Sequence, residues 1–422
     1  MSKQESEKSP KVALDNRNPK WLKAELFEGL LKETIPNYRN VKHFEVEPGC
    51  AAGENYATIM LRVKIDVQLK DGATKSVSYM MKVPPGNEQF KEMMRKHNIF
   101  DVEYKMYHEI VPDFNQLYRN VNVDVKFSAK CYDLKTPSEF GVILLEDLRP
   151  FGYRNADRLE GLDLVHTKAV LERLAQWHAA SATRVEIKGA YSQLLQGGWH
   201  SKSRQEAMRN FTMIVRKPFL DSVKTLQGNE VYIESLTKAV DNITDELFRI
   251  VSCDENEFKV LNHGDFWCNN VMFKYDSEGK IEDTLLIDYQ MLNYGPPARD
   301  LHYFLMSSTS YELKVNCFDY FIEFYHENLV KNLKLLNYPK KCPTLKELHI
   351  SLIKNSIRGV LAAVGVMAAA LLESHDDASL DGFFSQTEDA ERFRHIMFTN
   401  PRYRKHLQML LPWMYNRGAF EV

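Results

Sequence analysis

The stretch Leu261-Asn-His-Gly-Asp-Phe-Trp-Cys-Asn-Asn-Val-Met-Phe273, followed by Leu285-Leu-Ile-Asp-Tyr-Gln290, decides how this sequence is interpreted. It places Asp265 two residues after His263, and Asn270 five residues after Asp265. The segment therefore places a histidine, a carboxylate and an amide side chain close together in the sequence.

A small hairpin is predicted directly after this loop. The apolar runs at residues 271–273 and 284–289 flank the turn-like Asp276-Ser-Glu-Gly279, and this pattern is typical of two short paired strands. An apolar strand ending in Asp288, 18 residues beyond Asn270, presents a second carboxylate. The hairpin would hold both side chains on rigid backbone.

The spacing His-x-Asp-x-x-x-x-Asn, with an aspartate on a later strand, is that of enzymes that transfer the γ-phosphoryl group of ATP. Magnesium prefers oxygen ligands, which Asn270 and Asp288 supply, and Asp265 is the candidate base for the acceptor hydroxyl. His-Gly-Asp alone often marks only a turn, whereas its occurrence with Asn270 and Asp288 favours the catalytic interpretation. His263 is predicted to be structural. A hydrolytic metal held by His263 and Asp265 is disfavoured, because no second His/Glu cluster lies at ligand spacing.

Strict alternation of apolar and polar residues at 58–70 predicts a half-buried strand. Asp71-Gly72 predicts a hairpin turn, and residues 77–83 form the returning strand. A further strand is predicted at residues 125–132. Strand geometry places Met80 and Lys82 on the same face. If this face borders the cleft, Lys82 meets the ATP phosphates and Met80 covers the adenine.

A helical segment is predicted at about residues 88–110. Glu103 shares one helix face with Phe100 and Tyr107, and is the expected partner of Lys82, as in the kinase Lys–Glu ion pair. The alternatives are Glu109 as the partner, or a solvated Glu103 with no functional role.

Two further segments are candidate nucleotide contacts. The loop at residues 48–56 carries Gly49, Gly53 and Asn55 and could fold over the phosphates; a simple β-turn is the alternative, because the segment does not match G-x-G-x-x-G. The apolar strand at residues 142–145 leads into Glu146, Asp147 and Leu148, whose backbone could form hydrogen bonds with the adenine. The alternative is an ordinary linker.

Composition narrows the class of protein. With 422 residues, two to three domain-sized units are expected. The formal net charge of -2 argues against nucleic acid or an anionic membrane as the main partner. Six scattered cysteines with no C-x-x-C pair indicate reduced thiols. The N-terminus has no apolar signal region. The apolar run at residues 360–372 is too short to span a membrane and is predicted to form a buried helix. A cytoplasmic protein is expected.

The order of elements predicts an α+β, bilobal, protein-kinase-like fold. Residues 1–13 form a disordered tail, and residues 14–148 form an N-terminal nucleotide-binding lobe with a small antiparallel sheet. Residues 149–422 form a large, mainly helical C-terminal lobe for catalysis and substrate binding. The cleft between two such lobes is where a ligand is expected.

The sequence resembles the ecdysteroid kinase-like family, also called the CHK kinase-like group, which is related to choline kinases and aminoglycoside phosphotransferases. The matching pieces occur in family order: Gly53-Glu-Asn-Tyr56, Met81-Lys-Val-Pro84, Phe100-x-x-Glu103-x-x-x-Tyr107, Leu145-Glu-Asp-Leu148, Leu174-Ala-Gln-Trp-His-Ala179, His263-Gly-Asp-Phe-Trp267 with Asn270, Ile287-Asp-Tyr-Gln290 and Arg299-Asp-Leu301. The resemblance implies ATP and Mg²⁺ as cofactors and a small alcohol as acceptor. It also implies that His178 and Asp300 are structural supports.

The substrate cannot be derived from the motifs. The resemblance implies an ecdysteroid or a xenobiotic alcohol, and a catalytically inactive ligand-binding protein is the alternative from another class. A protein kinase is disfavoured, since no activation segment follows Asp288. Aromatic residues at 191–248, such as Trp199, Phe211 and Phe219, either line a steroid-sized pocket or fill the core.

Overall fold

The protein is described by a computed structural model over residues 19–49, 58–84, 91–92, 95–96, 98–198, 204–250, 257–373, 383 and 387–422. The predicted tail at residues 1–13 lies outside the described residues. The predicted boundary between lobes at residue 148 stays a prediction.

The N-terminal region is built on an antiparallel sheet. Within the described residues its strands are β1 (Tyr38–Pro48), β2 (Ile59–Leu69), β3 (Thr74–Val83), β4 (Cys131–Tyr132) and β5 (Ile143–Glu146), in the order β1-β2-β3-β5-β4. A 3₁₀ turn at Ala24–Phe27 and the helix α1 (Glu28–Thr34) precede β1. The apolar spacing at residues 21–34 predicts a short helix, and helical turns run from Ala24 to Thr34.

The two faces of this sheet have different environments. Side chains of β2 and β3 such as Val63, Ile65 and Met81 are fully buried with Phe27 in a small apolar cluster on one face. Lys82 lies on the other face, as the alternation predicts, because successive strand side chains point in opposite directions. At the β2–β3 turn Gly72 has φ +89°, which a residue without Cβ adopts easily.

A helical run follows outside the sheet. It comprises α2 (Ile99–Lys105), a π-helical turn (Met106–Ile110) and α3 (Val111–Arg119). The helical segment predicted to end at residue 110 therefore continues to Arg119. Its apolar side is buried, which explains the continuation: Phe100, Tyr107 and Phe114 all belong to the large core cluster.

The C-terminal region is mainly helical and carries two small sheets. Its elements within the described residues are β6 (Tyr153–Arg154), α4 (Leu164–Lys188), α5 (Gln193–Gln196), α6 (Gln205–Val223), α7 (Ile233–Arg249), β7 (Val260–Asn262), β8 (Val271–Tyr275), β9 (Ile281–Leu286), β10 (Asn293–Gly295), α8 (Ala298–Ser308), α9 (Tyr311–Lys314), α10 (Phe318–Leu335), α11 (Leu345–Lys354), α12 (Ile357–Val364), α13 (Val366–Ala370), α14 (Glu388–Thr399) and α15 (Pro401–Tyr415). Strand β7 pairs with β10, and β8 lies between β6 and β9. The sheet-bearing N-terminal part and the helical C-terminal part confirm the predicted α+β, kinase-like, bilobal fold.

Two local predictions differ from the structure. The strand predicted from residue 125 to residue 132 is limited to Cys131–Tyr132. The apolar run at 360–372, predicted as one buried helix, is interrupted at Gly365 between α12 and α13. Gly365 lies close to Leu361 O and to the ring of Phe211, each 3.2 Å from where a Cβ would stand, so a side chain there would be tightly packed.

Among the described residues, no single helix is long and apolar enough to cross a membrane. The pair formed by Leu345–Lys354 and Ile357–Ala370 meets those criteria only when taken together, and its two parts are bent by 58°.

Helix α4 fixes the strand that leads into the decisive loop. Asp163 caps its N-terminus by accepting a hydrogen bond from the His166 amide, which satisfies one of the free donors of the first turn. Further along α4, Trp177 Nε1 donates to Leu261 O at 2.7 Å, and Ser181 Oγ accepts from Leu261 N at 2.6 Å. Both contacts are buried, so β7 has one fixed position on the helical region.

Candidate active site

The loop between β7 and β8 is shaped by one glycine. Gly264 has φ +82°, and a Cβ there would lie 1.9 Å from Met291 O. Both the left-handed conformation and the close approach require a residue without a side chain. The loop then passes through a 3₁₀ turn, Cys268–Asn270, into β8. Gly264 therefore sets the direction in which Asp265 leaves the loop.

Asp300, in the first turn of α8, holds this loop from behind. Its carboxylate accepts from His263 N at 2.7 Å and from Gly264 N at 2.9 Å. His178 Nε2 lies 3.3 Å from the same carboxylate, and Tyr325 OH lies 2.6 Å from His178 Nδ1. Burial lowers the pKa of His178, against the opposing effect of Asp300. The contacts of Asp300 and His178 are those of structural supports.

His263 contacts backbone. Its Nε2 lies 2.9 Å from Ile287 O, which joins the loop to the segment after β9. This contact agrees with the structural role predicted for His263.

The Asp265 carboxylate receives one donor on each oxygen. Tyr303 OH donates to Oδ1 at 2.7 Å, and Asn270 Nδ2 donates to Oδ2 at 3.0 Å. Burial and the nearby charge of Asp288 raise the pKa of Asp265, while the hydrogen bonds from Tyr303 and Asn270 oppose that rise. A desolvated carboxylate of this kind is a stronger proton acceptor than a solvated one.

Asp288 does not stand at the end of a strand, as the apolar run suggested. Strand β9 ends at Leu286, and Asp288 lies two residues later with φ +69°. Such a conformation is uncommon for a residue other than glycine and costs of order 1–3 kcal/mol. The amide of Ile287 donates to Asn270 O at 3.0 Å, so the turn that carries Asp288 is tied directly to the turn that carries Asn270.

Lys82 links the two regions of the protein. Its Nζ lies 2.6 Å from Glu103 Oε2 and 2.6 Å from Asp288 Oδ1. Burial alone would lower the pKa of Lys82, but the carboxylates of Asp288 and Glu103 outweigh it and raise the pKa. Burial raises the pKa of Glu103 to about 7, although Lys82 opposes the rise. Of the two glutamates considered as partners, the structure places Glu103 and not Glu109 against Lys82.

Gln290 also belongs to this cluster. The sequence motifs assign no role to this residue. Its Oε1 accepts from Lys82 Nζ at 3.4 Å, and its Nε2 donates to Asp288 Oδ2 at 3.2 Å. Both oxygens of Asp288 therefore have a donor. The short Asp-x-Gln spacing was a usable signal, since a turn can bring the side chains of residues two apart together.

Of the residues predicted to contact the nucleotide from the sheet side, the structure brings Met80 and Gly49 together. Met80 is adjacent to Gly49, since its Cε lies 2.6 Å from where a Cβ on Gly49 would stand. Gly53 and Asn55 lie outside the described residues, so their predicted phosphate contacts stay predictions.

The end of β5 and the residues that follow it use polar groups for contacts within the protein. The amide of Glu146 donates to Lys130 O at 2.8 Å, and that of Asp147 to Ser78 O at 3.4 Å. The Asp147 carboxylate accepts from Ser78 Oγ at 2.7 Å and lies 2.9 Å from Arg62 Nε. Leu148 is buried in the large core cluster. Asp147 thus anchors the segment by its side chain, and adenine binding by the backbone here stays a prediction.

The oxygen atoms of Asn270 and Asp288 are suitable ligands for magnesium. The Asn270 amide nitrogen donates to both the backbone and the side chain of Asp265, at 2.8 and 3.0 Å. The oxygen of the same amide is thereby directed away from Asp265 and is available as a ligand. Asp288 adds a carboxylate on the adjoining turn. One carboxylate, one amide oxygen and the phosphates of a nucleotide are a usual magnesium environment.

The aromatic residues proposed for a substrate pocket divide into different cases. Phe219 is fully buried in the core cluster, as the alternative of core packing predicts. Phe211 is half-buried and stacks on Phe383, with 6.0 Å between ring centroids. Trp199 lies outside the described residues. A depression of about 440 Å³ along α7, lined by Ile233, Thr237 and Asp241 among others, contains none of the site residues.

A buried lysine on a small antiparallel sheet is paired with a glutamate of the following helix, beside a loop that carries an aspartate and an asparagine and a turn that carries a second aspartate. This arrangement defines a kinase-like protein. Comparison with family models identifies the family within this class. The family model described as the ecdysteroid kinase-like family matches residues 52–338, about two thirds of the chain, and the protein belongs to that family. Comparison with curated proteins gives no significant match.

Proposed function

We propose that this protein is an active phosphotransferase that moves the γ-phosphoryl group of ATP to a hydroxyl of a small lipophilic alcohol, with an ecdysteroid as the favoured acceptor. The observation that carries the proposal is the position of Lys82, 2.6 Å from both Glu103 and Asp288. A protein that only binds a ligand has no need of this arrangement beside a half-buried aspartate at kinase spacing. The family membership supports a kinase-like activity.

Each group has a definite task in the proposed reaction. Asp265 accepts the proton of the acceptor hydroxyl while the oxygen forms a bond to the γ-phosphorus and the bond to the β–γ bridging oxygen breaks, releasing ADP. Lys82 binds phosphate oxygens, and Glu103 keeps its ammonium in place. Asn270 and Asp288 would hold Mg²⁺, which neutralises charge on the phosphate oxygens when bound.

The acceptor and the location are the finer parts of the proposal. A hydroxyl on an apolar small molecule is favoured over a protein side chain, in keeping with the family. We also expect the enzyme to work in the cytoplasm, where ATP is available and its thiols stay reduced. A foreign compound with a hydroxyl group is the alternative acceptor, and a product screen over both classes of alcohol distinguishes it from a hormone.

The test is a mass-spectrometric screen for phosphorylated product with Mg-ATP, run in parallel over ecdysteroids and xenobiotic alcohols. Asp265→Asn should lower kcat by about 10²–10⁴-fold while calorimetry shows nearly unchanged Mg-ATP binding. Asp245→Asn is the matched control, because Asp245 is exposed and pairs with Arg209 on the surface. Tight alcohol binding with no product from any alcohol would replace the proposal by a ligand-binding function.

A further inference from the structure

Tyr303 makes the shortest hydrogen bond to Asp265 among its side-chain partners, at 2.7 Å. Tyr303 stands on α8, three residues after Asp300 and outside every motif that the sequence analysis used. Residues three apart on a helix share a face. The face that holds the loop backbone through Asp300 therefore also presents a phenol to the Asp265 side chain.

The position of this phenol is fixed by the rest of the site. Asp300 is fully buried and accepts hydrogen bonds from the amides of His263 and Gly264, so α8 cannot shift against the loop without breaking one buried and one part-buried hydrogen bond. The loss of each would cost about 1–3 kcal/mol. Tyr303, one turn further along α8, is thereby held at a set distance from Asp265.

The two donors on Asp265 restrict the rotation of its carboxylate. Tyr303 holds Oδ1 and Asn270 holds Oδ2, and each carboxylate oxygen retains a second lone pair. A rotation of the carboxylate about its bond to Cβ would break both hydrogen bonds. The lone pairs left for an acceptor hydroxyl consequently point in fixed directions.

We propose that Tyr303 is a positioning residue, which orients the Asp265 carboxylate toward the acceptor hydroxyl. This inference rests on the proposed phosphotransferase function. The phenol acts as a donor, because burial and the adjacent Asp265 raise its pKa well above the ordinary value. Tyr303 is half-buried against the core, so a role in packing alone is the alternative that an experiment must separate.

The first measurement compares Tyr303→Phe with the native enzyme, using Mg-ATP with water as the acceptor, so that no alcohol need be known. Phenylalanine keeps the ring and removes the hydroxyl. We expect kcat to fall by about 10- to 100-fold, as for a misaligned catalytic group, with KM for Mg-ATP unchanged. Tyr118→Phe is the matched control: Tyr118 OH lies 2.9 Å from Asn332 Oδ1 and 3.0 Å from Gln176 O, and neither partner belongs to the candidate site.

The second measurement separates positioning from packing. If Tyr303 acts through Asp265, adding Tyr303→Phe to Asp265→Asn should change the residual rate by no more than about twofold, because coupled residues are not additive. An undiminished further loss in the double variant would overturn the inference, as would native kcat in Tyr303→Phe. No Mg-ATP turnover by the native enzyme, with water or with any alcohol, would overturn the proposed function and this inference together.

Discussion

Replacing Gly264 by alanine tests whether the loop geometry that directs Asp265 depends on the missing side chain. Two costs follow from the structure. A left-handed backbone, here at φ +82°, costs an L-residue about 1–2 kcal/mol. The new Cβ would also stand 1.9 Å from Met291 O, whereas ordinary contact begins at 3.4 Å, so the two segments must separate by about 1.5 Å, at a further cost of about 1–3 kcal/mol.

The matched control is Gly279→Ala. Gly279 has φ +79° in the turn between β8 and β9, and a Cβ there would meet nothing within 4 Å. It therefore carries the conformational cost without the collision. We expect Gly279→Ala to lower the free energy of unfolding by about 1–2 kcal/mol and Gly264→Ala by about 2–5 kcal/mol, both measured by denaturant unfolding.

Activity provides the sharper comparison. Because the collision moves the residue next to Asp265 by more than 1 Å, kcat with Mg-ATP should fall by about 100-fold in Gly264→Ala. Gly279→Ala should keep native turnover. Equal stability losses in the two variants, together with native kcat in Gly264→Ala, would refute the argument that this glycine directs Asp265.

Two further predictions concern buried lysines. Lys82→Met should lower kcat by about 10²–10³-fold. It should also lower the free energy of unfolding by about 3–5 kcal/mol, because Glu103 and Asp288 would lose their cation. A native free energy of unfolding, measured with denaturant, would contradict this expectation. Lys314, 1% exposed, donates to Met306 O at 2.6 Å, and burial lowers its pKa from 10.5 to about 7. The unfolded chain then binds more protons between pH 7 and 10.5, so the stability of the native protein relative to Lys314→Met should rise with pH, by at most about 1.4 kcal/mol per pH unit. A constant difference between pH 7 and 9 would show that Lys314 keeps its ordinary pKa.

Local regularities in the sequence predicted much of the fold. Alternation at residues 58–70 and 77–83 predicted the paired strands and placed Lys82 on the face away from Met81. The Asp71-Gly72 turn was also correct, because short-range backbone chemistry determines such hairpins. These features depend on neighbours within a few residues, which a single sequence displays directly.

Long-range geometry was not visible in the same way. Lys82 and Asp288 are 206 positions apart, and only the packing of the two regions brings them to 2.6 Å. The left-handed turn at Asp288 has no marker, since an apolar run cannot reveal where a strand stops and the backbone reverses. The position of Tyr303 could have been predicted, because Asp300 belongs to a recognised motif and helical spacing places Tyr303 on the same helix face.

The sharing of one ammonium between Glu103 and Asp288 has an electrostatic consequence. Above the raised pKa of Glu103, about 7, the cluster of Glu103, Asp288, Asp265 and Lys82 holds three carboxylates and one ammonium, which leaves two negative charges in the cleft. Such a site repels a polyphosphate, and a divalent cation would cancel the excess. We therefore expect cation and nucleotide to raise each other's affinity by the same factor, so that neither is held firmly alone.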